Sequence, residues 1–293
     1  MTPLDQIDAY LGGWQLLGSL VALGLGVGVL TGLFGVGGAF LMNPVMIVAL
    51  GMNESVVVGS SLCFAIGTTA SGLSRHVRLK NVEVRTFLLL AGGACCGVSL
   101  GSRLHQYLHA VQGQGEFKLT VLWLYLVLLI GTAWFALRGR PKRHQGRSLL
   151  QRLPIPPRVS LPGAHLRGVS LPGLLVTGVG VGVVSGLLGI GGGVLLMPVL
   201  VLMVGLTVHQ AVGTGLGVVL FSSVAGTVEH GLAGNVNLWI AMSPLVGSTV
   251  GVQLGARICN RIQGERLRQY FAAIVLLTAV LVASDIVKKI TQS

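Results

Sequence analysis

The sequence predicts an all-α polytopic membrane protein of two homologous halves arranged as inverted repeats. Three observations predict it: apolar stretches at the length of a bilayer span, self-similarity at a fixed offset, and a lopsided distribution of basic residues. Of 293 residues, 52% are hydrophobic and only 10% are charged, against roughly 25% charged in soluble domains. Mean hydropathy is +0.82. Apolar stretches recur at 14–34, 55–74, 86–104, 119–137, 171–188, 208–228, 238–258 and 270–283, several near the ~20 residues that cross a hydrocarbon core. They predict about eight transmembrane helices. Two shorter stretches, 39–50 and 194–206, are too short to span and fit half-helices. The first 14 residues carry Asp5 and Asp8 but no Lys or Arg, so they do not read as a cleaved signal and the first span is expected to be retained.

Shifting the chain by 154 residues aligns 28–104 with 182–258 without a gap. Gly32, Gly35, Gly37, Gly38 and Pro44 fall on Gly186, Gly189, Gly191, Gly192 and Pro198; His76, Asn81 and Arg103 fall on His230, Asn235 and Arg257. The shared His, Asn, Pro and Arg carry most of the weight, because apolar sequence aligns easily by chance. The organisation is an N-terminal repeat at 14–138, a linker at 139–168 and a C-terminal repeat at 169–288.

From Arg138 to Gly168 the chain holds eight Lys or Arg, no acid and five of its ten prolines. Such a tract beside membrane spans marks the cytoplasmic side rather than a nucleic-acid site. Counting crossings outward from a flexible cytoplasmic linker puts Arg75, Arg78, Lys80, Arg85, Arg257, Arg261, Arg266 and Arg268 inside and the N-terminus outside. The equivalent loops 75–85 and 229–237 then lie on opposite faces, which is what an inverted repeat requires.

Each half opens on a glycine-interrupted run, T-G-L-F-G-V-G-G-A-F-L-M-N-P at 31–44 and S-G-L-L-G-I-G-G-G-V-L-L-M-P at 185–198. Each glycine weakens a helix by about 1 kcal/mol relative to Ala, so the helix is expected to break there. Freed amides inside a membrane are tolerated only within protein or along a cavity, and helix-end N–H groups suit an anion. Gly35, Gly37, Gly38, Gly189, Gly191, Gly192 and Gly193 are therefore candidate substrate-binding positions, with Asn43 beside the first break. Ser60, Ser61 and Thr214 are hydroxyl candidates on the following segment; Thr68, Thr69, Ser222 and Ser223 lie further along it, where such groups commonly bond their own backbone. His76, Asn81, His230 and Asn235 are expected to gate or to brace loops, and Arg103 and Arg257 to snorkel or attract substrate. Gly93, Gly97, Gly101 and Gly247, Gly251, Gly255 step by four and read as helix-packing faces.

All eight acids lie in tails or near segment ends, so no mid-membrane carboxylate is available for cation coupling. Phosphate-loop, zinc-protease and Ser/His/Asp patterns are absent, and Cys63, Cys95, Cys96 and Cys259 lack metal-like spacing. The chain is expected to be no enzyme and to use no cofactor or metal. Its expected partners are a small anionic substrate and the lipid bilayer, with no nucleic acid and with a homodimer left open.

The doubled G-x-x-G-x-G-G start, the following Pro44 and Pro198, the Ser/Thr-rich segment ending in His76 or His230, Asn81-Val82 and Asn235-Val236, and G-x-x-x-G-x-R at 97–103 and 251–257 together resemble the TauE/SafE sulfite exporter family. The resemblance runs over about 24–286. It implies a multi-pass inner-membrane permease for sulfite, an organosulfonate or a related sulfur oxyanion, working by alternating access. A passive anion channel and a cysteine-dependent sulfur-transfer membrane protein are the alternatives, the latter resting on Cys95-Cys96.

Overall fold

A computed structural model describes residues 13–138, 149–152, 155–161 and 166–292. The order of elements is α1 (Gly13–Phe34), α2 (Ala39–Pro44) continuing as a π-helix (Val45–Ala49), α3 (Glu54–Arg78), α4 (Val84–Arg138), α5 (Leu149–Arg152), β1 (Arg158–Leu161), β2 (Leu166–Ser170), α6 (Leu171–Leu188), α7 (Gly193–Pro198) with its π continuation (Val199–Val204), α8 (Val208–Leu232), α9 (Leu238–Cys259) and α10 (Gly264–Gln292). Eight spans are long and apolar enough to cross a membrane, each overlapping one of the eight apolar stretches. The protein is a polytopic all-α membrane protein.

The segment Val84–Arg138 holds two of those spans, Val84–Gln112 and Glu116–Leu137. The His105 and His109 rings lie 4.9 and 5.1 Å from the Phe117 ring. In a straight helix the rise alone would separate residues 12 apart by about 18 Å. The chain therefore doubles back between them. The described parts of the linker form α5 and an antiparallel pair in which Arg158 faces Ser170. The rest of it, and the N-terminus expected outside, fall beyond the described residues.

The repeat is visible element by element at the same offset of 154. Glu54–Arg78 and Val208–Leu232 are both 25 residues long. Their starts are capped at equivalent places, by Asn53 on Ser55 N (3.0 Å) and by Thr207 on Gln210 N (3.3 Å). Pro44 and Pro198, which lack an N–H and crowd the carbonyl one turn back, each pass into a π-helical turn.

Each half packs its first helix on the other half. Gly24, Gly28 and Gly32 of α1 press on Pro244, Ser248 and Val252 of α9, so those two helices run parallel; Gly93, Gly97 and Gly101 of α4 press on Leu175, Val179 and Val183 of α6 in the same way. A Cβ at Gly97 or Gly251 would sit 2.1 or 2.2 Å from a backbone oxygen, so the packing face expected of these glycines is realised as backbone-on-backbone contact. The central pair α3 and α8 runs antiparallel: Gly59 meets Asn235 and His230, and Gly72 meets Leu216.

One end of the molecule gathers the loops 79–83 and 260–263, joined by Asn81 Nδ2 donating to Asn260 Oδ1 (3.1 Å), together with the linker hairpin, where Arg85 donates to the Ser160 carbonyl (3.2 Å). Arg75, Arg78, Lys80, Arg85, Arg261, Arg266 and Arg268 all belong to this end. Apolar side chains such as Trp123, Val127, Trp239, Val246 and Leu277 stand outward along the spans, where lipid would meet them.

Replacing Gly97 or Gly251 with Leu is expected to cost about 3 kcal/mol or more in stability, read as a fall in the thermal unfolding midpoint in detergent. Leu at Gly26, which has nothing within 4 Å, should leave the midpoint nearly unchanged.

Candidate functional site at the helix breaks

Each half breaks where the glycines cluster. After Phe34, Gly35, Gly37 and Gly38 take φ of 72°, 78° and 78°; after Leu188, Gly189, Gly191 and Gly192 take 68°, 64° and 73°. Other L-residues rarely adopt this region, so the reversal of chain direction at Gly37 and Gly191 depends on glycine. The break lets α2 and α7 turn back along the helices that precede them: a Cβ at Gly38 would meet Val27 and Thr31 of α1, and one at Gly192 would meet Val181 of α6.

The two breaks touch. A Cβ at Gly193 would lie 1.8 Å from the Val36 carbonyl oxygen, and Gly35 and Gly189 press on Val212 and Val58, the residues of α8 and α3 opposite them. One side chain serves both, since Val219 Cγ1 lies 2.5 Å from the Cβ position of Gly37 and 2.7 Å from that of Gly191. Val219 sits halfway along α8, so the meeting point is near the middle of the central helix pair. Val36, Ile190 and Val219 are fully buried, and the centre is closed.

The hydrogen bonding at this centre is polarised. Carbonyls of the second break are taken: Asn43 Nδ2 donates to Leu188 O (2.9 Å) and Gly189 O (3.2 Å), Ser61 Oγ to Gly189 O (3.1 Å), and Ser222 Oγ to Gly191 O (3.0 Å). Amides are not: among the described residues, the N–H groups of Val36, Gly37, Gly38, Gly191 and Gly192 donate to no acceptor. Buried amides without acceptors are costly, and here they converge with no carboxylate beside them.

The candidate residues divide by what they touch. The seven glycines lie at the breaks. Asn43 and Ser61 reach the break of the opposite half and brace its carbonyls, with Asn43 Oδ1 left facing the buried Tyr125 hydroxyl. Ser60 and Thr214 accept the backbone N–H of Asn237 and Glu83, each 2.9 Å away, so they tie each central helix to a loop of the other half. His76 Nε2 bonds the Gly32 carbonyl and His230 Nε2 the Gly186 carbonyl, both at 3.0 Å. Asn81 and Asn235 press their backbones on Gly213 and Gly59 alike, and Asn81 Nδ2 also lies 3.2 Å from His76 Nδ1 and fixes its ring. Arg103 and Arg257 are exposed on the outer faces of their helices, away from the breaks.

Sequence reasoning missed His105, whose Nδ1 lies 2.8 Å from the Leu187 carbonyl and whose ring lies 5.1 Å from that of His230. Its repeat equivalent is Cys259, so no internal match signals it. It also passed over Ser185, which aligns with Thr31 and could have been found from the repeat.

Eight apolar spans around two facing helix breaks define a polytopic membrane protein. The sulfite exporter TauE/SafE family model matches residues 20–282, and the chain belongs to that family. It is 29% identical over 265 residues to Probable membrane transporter protein YjnA of Bacillus subtilis (strain 168), covering 89% of this chain and 97% of YjnA. It is also similar to Probable membrane transporter protein YunE of the same organism (26% identical; 88% and 94% covered) and to Probable membrane transporter protein MJ0441 of Methanocaldococcus jannaschii (26%; 89% and 92%). No solved structure matches the chain. The protein is a multi-pass membrane transporter.

His76→Ala and His230→Ala would each orphan a buried carbonyl at the end of α1 or α6. Each is expected to cost about 1–3 kcal/mol, measurable by thermal unfolding, with Arg103→Gln and Arg257→Gln within about 0.5 kcal/mol of the parent.

Proposed function

We propose that the protein is a carrier for a small sulfur oxyanion, sulfite or an organosulfonate, bound where the two glycine breaks meet and exposed alternately to the two sides of the membrane. The observation that carries this reading is the polarity of the centre, where the second break's carbonyls are occupied by Asn43, Ser61 and Ser222 while amides of both breaks donate to no acceptor. A site rich in neutral donors and empty of carboxylates stabilises negative charge and repels no anion. The half-helices that follow, Ala39–Val48 and Gly193–Val204, add their positive N-terminal ends. Sulfite is drawn from the family's description, and the donor set is compatible with any oxyanion of that size.

Alternating access is supported by closure of the centre and by the arrangement of the halves, read as an inverted repeat. Equivalent helices α3 and α8 are antiparallel, and each first helix rides on the other half. Rocking one bundle against the other would open the centre on one side while sealing it on the other. The fully buried side chains at the centre favour a carrier over a channel. The basic end is assigned to the cytoplasm of a bacterial-type inner membrane.

Two measurements test this reading. In a background without native cysteines, single cysteines at Ser160 and Gly234 should react with an impermeant maleimide from opposite sides; reaction of both from one side would end the inverted model. In proteoliposomes loaded with sulfite, thiosulfate, sulfoacetate or sulfate, with and without a pH gradient, at least one anion should show saturable flux. Gly191→Leu should abolish that flux and the binding behind it while the protein still inserts. Undiminished binding would remove the site from the breaks.

A further inference from the structure

The two halves repeat the sequence but not its hydrogen bonds. In the first half, Thr31 Oγ1 donates to the Val27 carbonyl (2.9 Å) and Thr69 Oγ1 to the Ala65 carbonyl (2.6 Å). Both hydroxyls are consumed within their own helices. At the equivalent places of the second half stand Ser185 and Ser223. Both are fully buried, and neither hydroxyl has a partner.

These two serines flank the same piece of backbone. A Cβ at Gly191 would lie 2.9 Å from Ser223 Oγ, and a Cβ at Gly192 would lie 3.6 Å from Ser185 Cβ. The amides of Gly191 and Gly192 also lack acceptors, while the nearby carbonyls of Gly189 and Gly191 are occupied by Ser61, Asn43 and Ser222. The second break thus presents two O–H and two N–H donors, no unmatched backbone carbonyl and no charge. An unsatisfied buried hydroxyl costs free energy, and two of them beside two unsatisfied amides form a set that a single multi-oxygen anion would complete.

We infer that substrate is bound asymmetrically at the second break, with Ser185 and Ser223 as direct ligands alongside the Gly191 and Gly192 amides. The first break, with its hydroxyls already spent, forms the opposing wall. Serine serves here where threonine stands in the first half because it lacks the γ-methyl that restricts χ1, so its hydroxyl can swing from its own helix toward a ligand. The donor number selects an oxyanion presenting three oxygens on one face, as sulfite and sulfonates do, over a halide with one acceptor atom. This inference rests on the reading of the breaks as an anion site.

The test is binding of sulfite, thiosulfate, sulfoacetate and sulfate to purified protein by calorimetry. Ser185→Ala and Ser223→Ala should each weaken the preferred anion about tenfold or more, since hydrogen bonds to charged groups are the strong ones. Thr31→Val and Thr69→Val should change it less than about twofold. Unfolding midpoints confirm that each variant folds, and Ser185→Cys and Ser223→Cys, near-isosteric but poor donors, replace any alanine variant that does not. Equal losses in both halves, or no loss at Ser185 and Ser223 while Gly191→Leu abolishes binding, would overturn the asymmetry and leave the anion site standing. Normal binding by Gly191→Leu, or no binding of any of the four anions by the parent, would overturn both.

Discussion

A helix interrupted inside a bilayer frees backbone groups that lipid cannot satisfy, and this constraint shapes everything around the two glycine breaks. The freed carbonyls of the second break are met by Asn43, Ser61 and Ser222, the first two reaching across from the opposite half. The freed amides are hidden rather than met, in a centre walled by Val36, Ile190 and Val219. Neither half could shelter its own break, because Gly35 needs Val212 of α8 above it and Gly189 needs Val58 of α3.

Sheltering requires close approach, which explains where the glycines are spent. Between apolar helices in lipid there is no hydrophobic force to hold surfaces together, so association depends on dispersion contact and tight fit. The α1–α9 and α4–α6 pairs achieve it by presenting glycine to backbone oxygen along both faces of each contact. Each pair joins one half to the other, so the same contacts hold the two halves together.

The hydroxyl and histidine pattern adds a second layer. His76 and His230 pin the carbonyls of Gly32 and Gly186 just before each break, and Ser60 and Thr214 hold the loop that starts the next helix. These bonds are repeated in both halves and look after the scaffold. Two differences between the halves, Asn43 against Met197 and Thr31 against Ser185, lie at the breaks. A duplicated fold with a single site would be expected to diverge there, since one anion cannot be centred on two equivalent donor sets at once.

The amino-acid sequence by itself determined the eight spans, the repeat, the breaks and the basic end, because these follow from span length, self-similarity, glycine's conformational freedom and charge, all properties of local sequence. It named Asn43, Ser61, Gly37 and Gly191 as neighbours of a site. It could not say that Asn43 and Ser61 reach across to the opposite break, that Ser60 and Thr214 are committed to loops, or that His105 lies against His230, whose sequence separation leaves no local trace. Nor could it separate Ser223 from Thr69, which differ by one methyl in the alignment. Only the tertiary structure decided which hydroxyls are spent and which are free, because a hydroxyl finds or lacks its partner in the packing of residues far apart along the chain.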